Sequence, residues 1–211
     1  ILMVREICMQ EIKKSNIKLI IFDLDGTLID AKEWHRDAFI KALNLYNFNL
    51  TIEDHELNLC GLPTKDKLKI LNIPLHLQKD IIQKKQELTV ELISANGKPD
   101  LNLLNTIKEL YDNGIILTCF TNSIRQTARL MLKSLEINQY LDCLITNEDV
   151  VKSKPDPEGF LKIINLFNIK PSNTLIVEDS KYGIEAANKT ESNILIVNSP
   201  KDILKIKNYI L

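Results

Sequence analysis

Five short runs of apolar, β-prone residues constrain the fold of this chain most: residues 18–23, 115–121, 143–146, 174–178 and 194–198. Each is apolar on successive residues rather than on alternate ones, the pattern of a strand buried on both faces of a parallel sheet. The stretches between most of them carry helical spacing. Leu101, Leu104, Ile107, Leu110 and Tyr111 step by three and four residues, as do Ala128, Met131, Leu132 and Leu135, then Phe160, Ile163, Ile164 and Phe167, then Ile184 and Ala187. Strand alternating with helix predicts an α/β protein with a Rossmann-like, doubly wound parallel sheet. In such sheets ligands bind beyond the carboxyl ends of the strands, so polar residues at those ends are the candidates for chemistry.

The interval between Asp23 and Ile115 breaks the rhythm. Its last part, 99–113, reads as an ordinary helix stopped by Gly114. Residues 31–96 hold no convincing strand; amphipathic stretches at 34–46, 66–71 and 77–92 are separated by Gly61, Pro63 and Pro74. The expected organisation is a core of residues 1–30 and 98–211 with an all-helical cap inserted at 31–97. Residues Val4, Ile7, Cys8 and Ile12 are spaced for a further amphipathic helix, with Met3 or Met9 as candidate start residues.

Composition narrows the function classes. Lys and Arg total 27 against 28 for Asp and Glu, so no net basic charge advertises nucleic acid or an anionic membrane. The longest apolar runs fall far short of the roughly 20 residues a membrane span needs. The cysteines Cys8, Cys60, Cys119 and Cys143 show neither paired nor metal-binding spacing, and Cys119 and Cys143 read as buried small hydrophobes. A soluble, cytoplasmic protein is expected. Monomer and dimer both stay open.

The sharpest motif is Asp23-Leu24-Asp25-Gly26-Thr27-Leu28, directly after the first apolar run. Two carboxylates two residues apart at a strand end can face one pocket, and Gly26 allows a turn that brings backbone close to a ligand. The alternative is an acidic turn with no partner. Three later strand ends supply matching groups. Thr121-Asn122-Ser123 offers donors, or merely helix N-caps. Lys152 to Pro157 is a basic loop, or a solvated lysine pair. Glu178-Asp179 suits a hard, oxygen-binding cation such as Mg²⁺, unless Asp179 only caps the next helix.

Taken in this order, the blocks resemble the haloacid dehalogenase superfamily of phosphatases and phosphotransferases, from about Lys18 onward. Asp30 to His35 and Leu59 to Pro63 are similar to the β-phosphoglucomutase-like branch with a helical cap. The resemblance implies that Asp23 is a nucleophile forming an aspartyl-phosphate and Asp25 the general acid/base. It implies Mg²⁺ held by Asp23, the Asp25 carbonyl and Asp179 with Glu178 adjacent. Lys154 would add charge beside the phosphoryl group, with Thr121 and Asn122 receiving its oxygens. Crowding by carboxylates is expected to raise the pKa of Asp25 and help it donate a proton. In the branch the chain resembles, a histidine at the place of His35 approaches the acid/base aspartate, here Asp25, when the cap closes. The alternative is a partly exposed histidine on the first cap helix. Lys65, beside Thr64 where the mutases carry a cap arginine, is the candidate point charge for substrate phosphate. Ala31 replaces their hinge threonine. These departures favour a phosphatase acting on a small phosphorylated metabolite over a sugar-phosphate mutase. An intact Asp23/Asp25 pair speaks against carbon–halogen cleavage, and the set of Asp23, Asp25, Lys154 and Asp179 speaks against a non-catalytic binding protein. Arg36 and Arg125 read as surface charges, and Trp34 as packing.

Overall fold

A computed structural model describes residues 16–210, so the expected N-terminal helix lies outside the described residues. The sheet has five strands, β1 (Leu19–Phe22), β2 (Ile116–Phe120), β3 (Cys143–Ile145), β4 (Thr174–Glu178) and β5 (Asn193–Ile196), all parallel, in the order β3-β2-β1-β4-β5. This is the doubly wound architecture that the apolar runs predict. The limits shift by one or two residues: Thr121 and Thr146 fall just outside their strands and β5 starts earlier.

Why both faces are apolar is visible in β1. Leu19 and Ile21 pack into one layer with Phe160, Ile163 and Ala186, while Ile20 and Phe22 pack into the other with Leu103, Ile107 and Met131. Helices α5 (Leu101–Asp112) and α6 (Arg125–Ser134) supply the second layer, and α7 (Glu158–Phe167) and α8 (Lys181–Asn188) the first. Each fully buried Leu, Ile or Phe contributes about 1.5–3 kcal/mol by leaving water. Asp100 caps α5 by accepting from the Asn102 and Leu103 backbone N–H groups, and Gly114, at φ +78°, turns the chain into β2. Cys119 is buried as expected; Cys143, at the edge strand β3, is only half-buried. Edge position explains the difference, since no strand covers its outer side.

Between β1 and α5 the described chain is helical: α1 (Lys32–Asn44), α2 (Ile52–Asn58), α3 (Thr64–Ile70) and α4 (Leu75–Asn96). Their shared apolar cluster, around Phe39, Leu43, Leu68 and Ile81, is separate from the two sheet layers. α4 connects the two regions, with Ile81 in that cluster and Ile93 in a sheet layer. Trp34 packs on the sheet side at the start of α1. Helix α2 is the element that periodicity missed. Its signal is a cap: Thr51 Oγ1 accepts from the Asp54 N–H at 3.0 Å and donates to the Asp54 carboxylate at 2.6 Å. No helix of the described residues is long and apolar enough to cross a membrane.

Candidate active site

Strand register assembles the site. Phe22 pairs with Cys119 on β2 and Val177 on β4, so the residues that follow each strand emerge together at the carboxyl edge. Asp23 extends the pairing by one residue, its N–H donating to the Val177 carbonyl at 2.9 Å. The chain then turns back at Gly26, at φ +94°, where a side chain would run into Asp179 and Lys32.

Lys154 is 3% exposed, and all three of its N–H donors are used. It donates to Asp23 Oδ1 at 2.6 Å, Glu178 Oε1 at 2.5 Å and the Phe120 carbonyl at 2.8 Å, with the Phe120 and Phe160 rings beneath it. Burial alone would push its pKa down; the Asp23 and Glu178 carboxylates outweigh that and hold it up. The neighbouring Lys152 is exposed, so only one member of the pair is a solvated charge.

Asp23, Glu178 and Asp179 each place a carboxylate oxygen within 4.8 Å of the others. Burial, and then Glu178 beside it, pushes Asp23 well above the usual carboxylate range, and burial raises Asp179. This is an excess of negative charge that Lys154 does not balance, and hard oxygen donors so crowded fit a divalent cation such as Mg²⁺. Asp179 also accepts from the Thr27 hydroxyl at 3.2 Å and is ion-paired to Lys32. It does not cap α8, because Ser180 does, accepting from the Gly183 N–H at 3.1 Å. Glu178 is more committed than sequence suggests. Its Oε1 is taken by Lys154, and its Oε2 accepts from the Asp179 and Ser180 N–H groups and the Ser180 hydroxyl.

Asp25 faces the other way, towards the helices. It accepts from the Ser123 hydroxyl at 2.8 Å and from Thr121 Oγ1 at 3.4 Å, and His35 Nε2 stands 2.8 Å from its Oδ1. Its neighbours are therefore donors rather than carboxylates, and the expected rise in pKa is corrected. Burial would raise it, but His35 and the Ser123 hydroxyl bring Asp25 down to about 2. Behind His35, Lys85 Nζ lies 2.9 Å from Nδ1. Asp25, His35 and Lys85 thus form a row running from the sheet edge into α4.

Thr121 is buried at the site, accepting from the Ser123 N–H at 3.0 Å. The Asn122 side chain braces the loops around the site. Its amide donates to the Gly61 and Lys154 carbonyls at 3.3 Å and accepts from the Lys154 N–H at 3.0 Å, tying three loops together. Thr121, Asn122 and Ser123 precede α6 without capping it, since Ile124 holds the N-cap position. Lys65 lines the cavity from an exposed position on α3. Arg125 pairs with Asp149 at 2.5 Å as a surface charge does, whereas Arg36, its side chain only 14% exposed, pairs with Glu33, Asp37 and Glu56.

Together these residues line a cavity of about 1060 Å³ between the sheet edge and α1–α4. Sequence reasoning missed four of its groups: Lys32, His55, Lys67 and Lys85. A signal existed for Lys85, which shares the inward stripe of α4 with Ile81, Thr89 and Ile93 at steps of four.

The sequence profile of haloacid dehalogenase-like hydrolases matches residues 20–197. The chain is similar to the pyrophosphatase PpaX of Anoxybacillus flavithermus, with 30% identity over 171 residues, 81% of this chain and 79% of that protein. It is also similar to the phosphorylated carbohydrates phosphatase of Thermotoga maritima, with 27% identity over 178 residues, 81% of this chain and 80% of that protein. Among solved structures, the β-phosphoglucomutase from Clostridium difficile aligns with a TM-score of 0.75 at 22% identity, over 92% of this chain and 99% of that one. That last likeness speaks to the fold alone.

Proposed function

Because the chain belongs to the haloacid dehalogenase-like hydrolase family, we propose that it is a phosphatase that hydrolyses a small phosphomonoester through an aspartyl-phosphate on Asp23, with Mg²⁺. The observation that carries this reading is the Asp23 carboxylate, fixed 2.6 Å from the buried Lys154 ammonium at the mouth of a small-molecule cavity. We read residues 31–97 as a cap over a core of residues 1–30 and 98–211. A cytoplasmic setting suits the free thiols of Cys60, Cys119 and Cys143.

In the first step an Asp23 oxygen attacks phosphorus and the bond from phosphorus to the leaving oxygen breaks. Lys154 and the Thr121 hydroxyl offset the charge on the phosphoryl oxygens. Mg²⁺, held by Asp23, Asp179 and the Asp25 carbonyl with Glu178 beside them, would supply the charge that lets a phosphate approach a carboxylate. The leaving oxygen takes a proton by way of the Asp25–His35 pair, and Lys85, 2.9 Å from His35 Nδ1, returns one to the ring, so that no imidazolate forms. In the second step water attacks phosphorus, its proton passes to Asp25, and the bond to Asp23 breaks to release orthophosphate. Glu178 acts through Lys154, holding its ammonium against Asp23, and is a positioning residue.

The activities named for the two relatives, on pyrophosphate and on phosphorylated carbohydrates, set the first substrates to try. Phosphate release from such a panel, with and without Mg²⁺, tests the reading. It is expected to need the metal and to fall about a thousandfold or more in Asp23→Asn. Release that survives the substitution would overturn it.

A further inference from the structure

Two lysines reach the carboxylates Asp23, Glu178 and Asp179, and they are held very differently. Lys154 stands on the Asp23 and Glu178 side, buried, with every N–H donor used. Lys32 stands on the Asp179 side, its ammonium against Asp179 Oδ2 and its side chain 40% exposed. That ion pair is the one polar contact of Lys32 Nζ among the described residues. Asp179 is the buried partner, its side chain 1% exposed and its Oδ1 accepting from the Thr27 hydroxyl at 3.2 Å. A side chain at Gly26 would strike both the Lys32 stem and Asp179 Oδ2, so the turn after β1 is shaped around this pair. The two partners come from different parts of the fold. Asp179 follows β4, whereas Lys32 is the first residue of α1.

Three carboxylates against two ammonium groups leave one negative charge at this edge of the sheet. A divalent cation on Asp23 and Asp179 turns that into a net positive charge, and it shares the Asp179 carboxylate with an ammonium. Like charges that close repel strongly, so one cation gives way. Lys154 is fixed by three partners; Lys32 has one partner and a stem already in solvent, so Lys32 is the one that moves. We propose that Lys32 is a built-in competitor of Mg²⁺, neutralising Asp179 in the metal-free protein and displaced from it when the ion binds. This rests on the Mg²⁺ reading of the three carboxylates. Metal affinity is then set below what those carboxylates would give alone, and occupancy follows the supply of free Mg²⁺. Metal entry also cuts the tie between the start of α1 and the core, so the state of the metal site is coupled to the placement of the first cap helix.

Titration of the substrate-free protein with Mg²⁺ tests this by two readouts that need no turnover. One is the thermal unfolding midpoint. The other is the fluorescence of Trp34, the single tryptophan of the chain, two residues from Lys32 and packed on the sheet side. Lys32→Met keeps the aliphatic stem and removes the charge. It should bind Mg²⁺ about fivefold more tightly than the native protein, the upper end for a half-exposed ion pair that the ion no longer has to break. Without metal it should unfold at a lower temperature, because Asp179 has lost its counter-charge. Lys32→Arg should restore the native affinity. Lys181→Met removes an exposed lysine that lines the same cavity two residues after Asp179, and should stay within about twofold of native. Equal or weaker Mg²⁺ binding in Lys32→Met, or a gain that Lys181→Met matches, would overturn the competition alone. No Mg²⁺ response in either the native or the Lys32→Met protein, or a response that survives in Asp179→Asn, would overturn the metal reading and the competition with it.

Discussion

Lys85 illustrates what a single buried base does to the molecule. Burial and the neighbouring Lys67 lower its pKa from 10.5 to about 7. Between those two values the unfolded chain binds the proton that the folded one has released. Unfolding free energy therefore rises with pH from about 7 upward, by about 1 kcal/mol per pH unit from this group. Urea unfolding of the native protein and of Lys85→Met at pH 7, 8 and 9 measures it. The native protein should gain on the variant as pH rises, and parallel curves would mean that Lys85 stays charged in the fold. At this scale the sequence is legible where chemistry is local. Asp23, Asp25, Lys154 and Asp179 follow strand ends and meet at one edge. Lys67 and His55 are not legible in the same way, because a polar or charged residue in an amphipathic helix is by default on the solvent face. Their burial depends on which helix packs opposite. The direction of the Asp25 shift escapes for the same reason, since His35 and Ser123 reach it from distant parts of the chain.

Helix α8 shows how an element is fitted to the site. Gly183 lies in its first turn, and a methyl group there would overlap the Glu178 carboxylate that holds Lys154. Two effects of Gly183→Ala compete. Alanine favours a helix over glycine by about 1 kcal/mol. Overpacking costs about 1–3 kcal/mol, and here it falls on a buried, hydrogen-bonded carboxylate with no free direction in which to move. The clash should win. Thermal unfolding is expected at a lower temperature than in the native protein, with weaker phosphate release as Lys154 is displaced; an unchanged or raised midpoint would show that Glu178 yields freely. The strands were readable because a strand covered on both faces has no polar positions to blur it. Helix α2 was not, since its apolar residues Ile52 and Leu57 are exposed and its buried residue is His55, which leaves the Thr51 cap as its signal.

Across the whole molecule, charge is divided by layer. The sheet edge presents Asp23, Glu178 and Asp179 around Lys154, while the cap wall presents Lys67 and Lys85 backed by imidazoles. Asp25 and His35 lie at the seam. A phosphate ester between the two walls would find a nucleophile and a cation site on the sheet side. Long helix α4 joins the layers, so packing of the cap cluster and placement of Lys85 are one structural fact. The most direct measurement is to trap the covalent intermediate. The protein is quenched during turnover with Mg²⁺ and a hydrolysable phosphate ester and treated with borohydride, which reduces an acyl phosphate to an alcohol; the modified peptide is then located by mass spectrometry. The account predicts homoserine in place of Asp23, absent without substrate and absent in Asp23→Asn. Modification at another carboxylate, or phosphate release with no trapped intermediate at Asp23, would contradict it.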